Sequence, residues 1–308
     1  MKSAPSSVGH RLAAVFGMFA CCLAALAASP AHAARVGVLS DKYAVETAAD
    51  FAAKIPGHTF TGVDTFTTVP TLASLTSSFD ALLVFEDGVF ANSTAVGDVA
   101  AAFANTGRAV VVGTFYDQDR SDSANPALVI PAHGWGALEG IDPSTTDGIG
   151  VRTDGTGQPN LPRVLNAASI VPHPLTQGVT ALGATSGFAG GNEAKAGTIV
   201  LANWTELNAH GLPDPAIAYR VTGAACVIQI GIAPDYAVGV GTGYGSFTGN
   251  FYTVWGNAFD FAANSCQPLS GPALSTSVPT LSDGGLALTM LLVLAVAFSQ
   301  RRRLLGSR

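Results

Sequence analysis

Positively charged residues are scarce in the central part of this 308-residue chain. Of the 15 Lys and Arg residues, six lie in the first 33 or the last 31 residues, whereas those two ends hold only one of the 21 Asp and Glu residues. The part between them therefore has nine basic and 20 acidic residues, a formal net charge near −11. Such a field opposes binding to nucleic acid, and it favours solubility outside the cell or the capture of cations. We expect no nucleic-acid partner.

Cysteine is also scarce, with four in the chain. Cys21 and Cys22 lie in an apolar stretch near the amino terminus, and the residues before them do not form a good lipoprotein cleavage box. Only Cys226 and Cys266 remain in the body, and in an oxidising compartment such a pair forms a disulfide by default. The bridge would close a loop of some forty residues and contribute roughly 3–4 kcal/mol. Two buried free thiols are the alternative.

No lysine follows the most glycine-rich run of the chain, residues 239–249 (GVGTGYGSFTG). A phosphate-binding loop of the GxxxxGK[ST] type needs that lysine, and it needs a strand before it and a helix after it. The sequence therefore favours a surface loop over a phosphate loop here, with contact to some other ligand left open.

The amino terminus has the organisation of a secretory signal peptide. Lys2 and Arg11 precede an apolar stretch over residues 12–28, and Ala31 and Ala33 supply the small residues that signal peptidase requires. We predict a signal peptide over residues 1–33, cleaved after Ala33, with the Sec translocon and signal peptidase as partners.

The carboxyl terminus carries a short motif, an apolar run and a basic cluster, in that order. The motif is Val278, Pro279, Thr280 and Leu281. The uncharged run predicts a transmembrane helix over residues 284–299, although it is short for the roughly 20 residues that span a bilayer. The basic cluster is Arg301, Arg302 and Arg303, which the positive-inside bias would hold in the cytoplasm. The alternative is that these residues form an ordinary carboxy-terminal membrane anchor with no further function.

This tripartite order resembles the IPTL-CTERM type of carboxy-terminal sorting signal found in exported bacterial envelope proteins. The resemblance covers residues 278–303 and implies an exosortase-like sorting enzyme as a partner. It also implies an exported protein that is anchored in the inner membrane at least transiently, with its body outside the cytoplasm, and that can reach the cell surface after processing. Residues 269–277, rich in Ser, Pro and Ala, read as a spacer between the body and the sorting signal, residues 278–308.

The body, residues 34–268, alternates strand and helix patterns. Apolar runs predict strands at residues 35–39, 59–66, 79–85, 109–113, 198–204, 216–220 and 225–231, and helical spacing predicts helices at 44–55, 95–105 and 251–263. Periodicity fails over about residues 116–165, which we interpret as an irregular insertion. The pattern predicts an α/β fold with a doubly wound, mostly parallel sheet.

The run FDALLV at residues 79–84, followed by a helix, Gly107 and the run VVVG at 110–113, resembles the class I glutamine amidotransferase-like superfamily of flavodoxin-like sheets. That resemblance implies a catalytic cysteine on the turn after the strand AVVVG. Here the turn contains Thr114 instead, without a nearby activating base. Cys226 lies inside an apolar strand, where a thiolate is disfavoured. The chain therefore looks like a member without the catalytic cysteine, and we predict no catalytic residue.

Acidic side chains follow two of the predicted buried strands. Glu86 and Asp87 come after one, and Asp117, Asp119 and Asp122 come after the next. Ligands bind open α/β sheets at the carboxyl ends of their strands, so these positions are candidate ligand residues and, for the second group, candidate Ca²⁺ ligands. The second group lacks the glycine and the distal glutamate of a calcium loop. Solvated acidic loops without any cofactor are the favoured alternative.

His133 and Trp135 lie in the irregular region, where an exposed indole could stack on a sugar. A buried loop anchor is the favoured alternative for Trp135.

Two functions follow from the whole sequence. The first is an envelope-anchored protein with a non-catalytic ectodomain, binding or structural at the cell surface. The second is a degenerate or metal-assisted hydrolase of extracellular carbohydrate or peptide.

Overall fold

The computed structural model describes residues 33–87, 90–113, 134–146, 162–185, 189–208, 210–238 and 246–267. All of them belong to the first of two compact units, Met1–Leu269. The predicted signal peptide up to residue 32, the spacer 269–277 and the sorting signal 278–308 lie outside the described residues. Among the residues that are described, no helix has the length and apolar character needed to cross a membrane.

The described elements comprise twelve strands, four α-helices and three 3-10 helices. The strands are β1 (Arg35–Ser40), β2 (Thr59–Asp64), β3 (Ala81–Val84), β4 (Ala109–Gly113), β5 (Ser144–Thr146), β6 (Arg163–Val164), β7 (Leu182–Ala184), β8 (Asn192–Ala194), β9 (Ile199–Leu207), β10 (Pro213–Thr222), β11 (Ala225–Ile230) and β12 (Phe247–Gly249). The helices are α1 (Ala44–Lys54), α2 (Leu72–Ser78), α3 (Ser93–Ala104) and α4 (Phe251–Ala263), and the 3-10 helices are Gly136–Gly140, Ala167–Ser169 and Pro174–Thr176.

A seven-stranded mixed sheet forms the centre of the fold, in the order β2-β1-β3-β4-β11-β10-β9. The first five strands in this order are parallel, β10 pairs antiparallel with β11, and β9 pairs antiparallel with β10. The predicted α/β architecture with a mostly parallel sheet is therefore confirmed. Two small antiparallel sheets accompany it, one of β12, β7 and β6 and one of β5 and β8.

Helices cover both faces of the central sheet. Leu83 of β3 belongs to the core that contains Phe51 of α1 and Phe259 of α4. Its neighbour Leu82 belongs to the opposite core, with Val96 of α3. Successive side chains of a strand point to opposite faces, and a strand with all residues buried, as β3 has, must be covered on both. The continuous apolar run predicted this burial.

Short polar residues fix the ends of several elements. The side chain of Asn92 accepts a hydrogen bond from the backbone N–H of Ala95 (2.9 Å) and caps α3. Strand β2 ends two residues before the predicted end because Asp64 accepts from the N–H of Phe66 (2.8 Å), which turns the chain. Thr71 caps α2 in the same way as Asn92 caps α3, and the sequence pattern did not reveal that helix.

The antiparallel part of the sheet limits the doubly wound prediction. Only Gly223 and Ala224 separate β10 from β11, and Gly223 has a φ of +61°. Two residues suffice for a hairpin, whereas a parallel crossover needs a dozen or more, so these strands must pair antiparallel. The insertion predicted over residues 116–165 is irregular only in part, because it contains the 3-10 helix Gly136–Gly140 and the short strands β5 and β6.

Cys226 of β11 and Cys266, just after α4, lie together in a disulfide with their Cα atoms 6.2 Å apart. This separation is common for disulfides, and both residues are buried. The predicted pairing of these two cysteines is therefore supported, and it attaches the last helix to a central strand.

Candidate binding site at the carboxyl edge of the sheet

Buried polar side chains gather where the parallel strands end. We define the carboxyl edge as the side of the sheet on which the parallel strands β1, β3, β4 and β11 end. Strand β10 runs in the opposite direction, so it starts at this edge, and β9 reverses direction again, so it ends there. The buried polar residues on it include Ser40, Asp41, Glu86, Asp87, Arg163, Asn192, Asn208, Asp214 and Asp235. Polar groups are rarely buried without a partner, so their number at one edge marks it for closer inspection.

Glu86 is almost fully used by neighbouring donors. One carboxylate oxygen accepts hydrogen bonds from the backbone N–H of Phe90 (2.9 Å) and the hydroxyl of Ser93 (3.2 Å). The other accepts from the indole Nε1–H of Trp135 (3.0 Å). Both Glu86 and Trp135 are 1 % exposed. The carboxylate therefore joins the start of α3 to the segment around Trp135, which is a structural arrangement.

Asp87 and Asp41 form a second contact at the same edge. The backbone N–H of Asp87 donates to Asp41 Oδ1 (2.8 Å), and Lys42 Nζ lies 3.3 Å from Asp87 Oδ2. The strands β1 and β3 are neighbours, so the loops that follow them meet. Asp41 Oδ2 is buried and has no hydrogen-bond partner among the described residues.

Arg163, Asn192 and Asp214 form a third cluster, which we call the Asp214 cluster. Asp214 is fully buried, and its carboxylate accepts from the backbone N–H groups of Gly191 (2.6 Å) and Asn192 (3.1 Å). Arg163 Nε donates to Asp214 Oδ2 at 3.4 Å. Burial raises the pKa of Asp214 to about 6, although the two backbone donors and Arg163 oppose that rise.

Glycine is required beside this cluster. A methyl group at Gly190 would lie 2.6 Å from Asp214 Oδ2 and would also overlap Arg163 Nε, and Gly190 has a φ of +77°. The N–H of Gly190 donates to the carbonyl of Gly231 (2.9 Å), one residue past β11. This bond places the Asp214 cluster at the carboxyl edge, next to the sheet's central strands.

Three buried N–H donors in and next to the Asp214 cluster have no acceptor among the residues that the structure describes: Arg163 Nη1, Asn192 Nδ2 and Trp204 Nε1. Trp204 Nε1 lies 3.2 Å from the point that a methyl group at Gly231 would occupy, so it belongs to the same neighbourhood. A buried donor without an acceptor costs about 1–3 kcal/mol, and native proteins retain few of them.

Asp214 gives stability a pH dependence of defined sign. Its pKa rises from 3.8 to about 6, so between about pH 4 and about pH 6 the folded protein holds a proton that the unfolded chain has released. The free energy of unfolding therefore falls as pH rises through this window, by up to about 1.4 kcal/mol per pH unit. Burial raises the pKa of Asp142, beside Lys195, to about 7, which adds a contribution of the same sign.

The measurement that isolates Asp214 is denaturant unfolding of the wild type and of Asp214→Asn at several pH values across the window. We expect the stability of the variant relative to the wild type to increase as pH rises from about 4 to about 6. Two parallel pH profiles would contradict the assignment.

The residues predicted from sequence are only partly brought together. Glu86 and Asp87 do lie at the carboxyl edge, and Trp135 contacts Glu86, in the buried position of a loop anchor. The remaining candidate ligand residues, Thr114 and His133, and the candidate metal ligands Asp117, Asp119 and Asp122 lie outside the described residues. Within the described ranges, no group of three His, Cys, Asp or Glu side chains is placed to hold a metal ion.

Sequence reasoning missed the Asp214 cluster. Its charged members are 51 positions apart, and they lie in the short strand β6 and at the start of β10, where no motif identifies them. The one available signal was an aspartate between Pro213 and Pro215, an unusual position for an acidic residue at the start of an apolar strand.

Comparison with solved structures gives distant similarities. Cytoplasmic protein STM1381 from Salmonella typhimurium LT2 is 12% identical over 73% of this chain and 97% of its own, with a TM-score of 0.44. A cold-adapted β-galactosidase from Rahnella sp. R3 is 12% identical over 77% of this chain and 32% of its own, with a TM-score of 0.39. The carbohydrate deacetylase Agd3 is 12% identical over 65% of this chain and 30% of its own, with a TM-score of 0.35. TM-scores this low assign neither a fold family nor an activity. No curated protein matches the sequence.

A family model identifies the carboxyl terminus. The IPTL-CTERM motif matches residues 276–303, which confirms the sorting signal predicted at 278–303. This motif is a sorting signal, and it implies processing by an exosortase-like sorting enzyme. It therefore indicates an exported, envelope-associated protein. The match leaves the body of the chain unassigned.

Proposed function

We propose that this chain is an exported, envelope-anchored bacterial protein whose α/β ectodomain is non-catalytic and binds a ligand at the carboxyl edge of its sheet. The observation that carries the proposal is the contrast within that edge. The carboxylate of Glu86 is occupied by three donors, whereas three buried N–H donors around Asp214 have no acceptor within the described part of the chain. We assign the donors around Asp214 to ligand binding and the carboxylate of Glu86 to a structural role.

The strand order supports a flavodoxin-like body. The five parallel strands follow the order β2-β1-β3-β4-β11, which corresponds to the 2-1-3-4-5 order of flavodoxin-like sheets. We therefore propose that the body has the architecture of the class I glutamine amidotransferase-like superfamily without its nucleophile. Cys226 and Cys266, the two cysteines within the described ranges, are joined to each other, and a disulfide supplies no thiolate.

The ligand that suits the Asp214 cluster presents oxygen acceptors to N–H donors. Arg163 carries a positive charge and Asp214 next to it a negative one, so the cluster is close to neutral when both are ionised. Sugar hydroxyls and carboxylates of an envelope polysaccharide have this acceptor chemistry, and a hydrogen bond to a charged group contributes about 1.5–3 kcal/mol. We infer that the ligand is a glycan, with an acidic sugar favoured where it reaches Arg163.

Calorimetric titration of the processed chain with neutral and uronic-acid oligosaccharides tests whether the ligand is a glycan. Asn192→Ala removes a donor that makes no hydrogen bond in the protein, so we expect affinity to fall about 10-fold with no loss of thermal stability. Arg108→Lys is the matched control, because Arg108 bonds the carbonyl of Thr76 (3.0 Å) away from this edge. Absence of binding to every glycan, or equal binding by Asn192→Ala, would overturn the ligand assignment and leave a buried water as the acceptor.

The hydrolase alternative depends on Glu86, Asp87 and the acidic loop 117–122, and that loop lies outside the described ranges. Titration with Ca²⁺, Mg²⁺ and Zn²⁺ is the corresponding test. Stoichiometric binding that is lost in Asp117→Ala, together with hydrolysis of a glycan or peptide, would favour this alternative over the non-catalytic function.

The anchoring half of the proposal makes its own prediction. Deletion of residues 278–308 removes the IPTL-CTERM motif and the apolar run together. We expect the truncated chain to be released outside the cytoplasm in soluble form, measured by fractionation and immunoblotting against the full chain. A truncated chain that stays in the membrane fraction would contradict the anchoring function of the tail. Substitution of Thr280 and Leu281 alone, with the apolar run intact, separates sorting from anchoring.

A further inference from the structure

His58 makes two polar contacts on the side of the sheet opposite the carboxyl edge. The backbone N–H of Ala34 donates to His58 Nδ1 (3.2 Å), and His58 Nε2 lies 3.3 Å from Asp260 Oδ1 of α4. The imidazole side chain is 3% exposed, and the rings of Phe60 and Phe259 contact it edge-on with centroids 6.2 and 6.1 Å away. Ala34, His58 and Asp260 therefore form a chain of polar contacts in a fixed orientation.

The hydrogen bonds define the protonation of the ring. Because Nδ1 accepts from a backbone N–H, it carries no proton, and the proton of the neutral imidazole lies on Nε2, facing Asp260. Nδ1 is thus an oriented acceptor directed at the nitrogen of Ala34. The carboxylate of Asp260 stabilises that tautomer from the other side.

The position of Ala34 coincides with the predicted cleavage point of the signal peptide. Ala33 is exposed, whereas Ala34 is buried, and its carbonyl accepts from the N–H of Thr59 (3.0 Å) at the start of β2. Strand β1 begins at the next residue. The folded body therefore starts at the residue that would become the new amino terminus.

We propose that the free α-amino group of Ala34, produced when the Ala33–Ala34 peptide bond is hydrolysed, is a built-in ligand of His58, whose ring Asp260 holds in position from the opposite side. Hydrolysis consumes one water, leaves a carboxylate on Ala33 and leaves an amine on Ala34 that is largely protonated at neutral pH. The same nitrogen then donates to His58 Nδ1 as a cation rather than as a neutral amide. Hydrogen bonds with a charged donor are about twice as strong as neutral ones.

The neighbouring groove suits a charged terminus. An open groove of about 300 Å³ is lined by Lys54, His58, Tyr252, Asn257 and Asp260, among others. Its charged groups are the ammonium of Lys54 and the half-exposed carboxylate of Asp260, and that carboxylate faces His58 Nε2, on the other side of the ring from the Ala34 nitrogen, where it partly balances an added positive charge. Removal of the signal peptide therefore strengthens the attachment of β1, and the precursor, which must stay unfolded during export, lacks that contribution. This inference rests on the export half of the proposed function and is independent of the glycan ligand.

The test compares two secreted full-length chains that differ by one residue. Mass spectrometry of the processed wild type is expected to find Ala34 as the amino terminus. Insertion of one serine between Ala33 and Ala34 moves the free amine away and restores an ordinary peptide N–H at Ala34. We expect the inserted chain to melt about 2–4 °C lower, because only the charge-assisted part of the bond is lost.

His58→Gln is then introduced into both the wild-type chain and the chain with the inserted serine. The difference in melting temperature between these two chains should disappear. Asp260→Asn, at a partly exposed position, gives a second variant in case His58→Gln does not fold, and it should reduce the difference. A mature terminus other than Ala34, or equal melting temperatures for the two chains with His58 present, would overturn the proposal. Failure of glycan binding would leave it standing.

Discussion

Glu86→Ala is expected to destabilise the fold by about 3–5 kcal/mol, the largest effect of any single substitution proposed for this chain. The substitution leaves the N–H of Phe90, the hydroxyl of Ser93 and the indole N–H of Trp135 without their acceptor in a buried place. Each unsatisfied buried donor costs about 1–3 kcal/mol. The melting temperature should fall by on the order of 10 °C, measured by calorimetry or circular dichroism.

Two further variants make the result specific. Glu86→Gln keeps the shape and one acceptor oxygen, so its loss should be smaller than that of Glu86→Ala. Glu46→Ala is the matched control, an exposed glutamate on α1 whose removal should cost below about 1 kcal/mol. If Glu86→Ala kept the wild-type melting temperature and lost an activity, Glu86 would be a catalytic or binding group and the structural interpretation would be wrong.

Loss of the Cys226–Cys266 disulfide is expected to cost about 3–4 kcal/mol. The bridge closes a loop of 40 residues, and the chain-entropy model gives this magnitude for such a loop. Both cysteines are buried, so replacing both by alanine removes the bridge without leaving a lone thiol. Thermal unfolding of the double-alanine variant, and of the wild type with and without reductant, measures the effect.

The disulfide experiment has an internal comparison. Reduced wild type and the double-alanine variant should melt at similar temperatures, both well below the oxidised wild type, while the location of the protein in the cell stays the same. Equal melting of oxidised and reduced wild type would mean that the two cysteines are buried free thiols in solution. That result would also remove the attachment of α4 to β11.

Much of the sheet could be predicted because its signals are local. The runs that became β1, β3, β4 and β11 are continuous and apolar, and a strand buried on both faces needs such a run in its own sequence. The antiparallel pairing of β10 with β11 was not predicted, and it follows from the two-residue connection that the structure shows, which is too short for a parallel crossover. Helix α2 was missed because it is only seven residues long and has a single buried residue, Leu75.

The sequence predicted where the candidate site lies on the sheet, and it did not predict the contacts of the side chains there. The sequence placed Glu86 at the end of a buried strand, where ligands commonly bind. Its occupation by Trp135 depends on a residue 49 positions away, and the pairing of Arg163 with Asp214 spans 51 positions. No periodicity or motif reports contacts at that separation. A carboxylate therefore looks identical in sequence whether it is free to react or held by three donors.

The sequence by itself determined the destination of this protein and its fold class. Sorting signals are read as short linear segments, and strands and helices follow from local apolar patterns, so residues 276–303 and the alternating runs of the body carry that information without folding. Only the tertiary structure decided which polar groups are free. Burial, hydrogen-bond partners and the contact of His58 with Ala34 and Asp260 arise when segments up to 202 residues apart come together. The chemistry of a buried group is set by those neighbours, which a linear pattern does not contain.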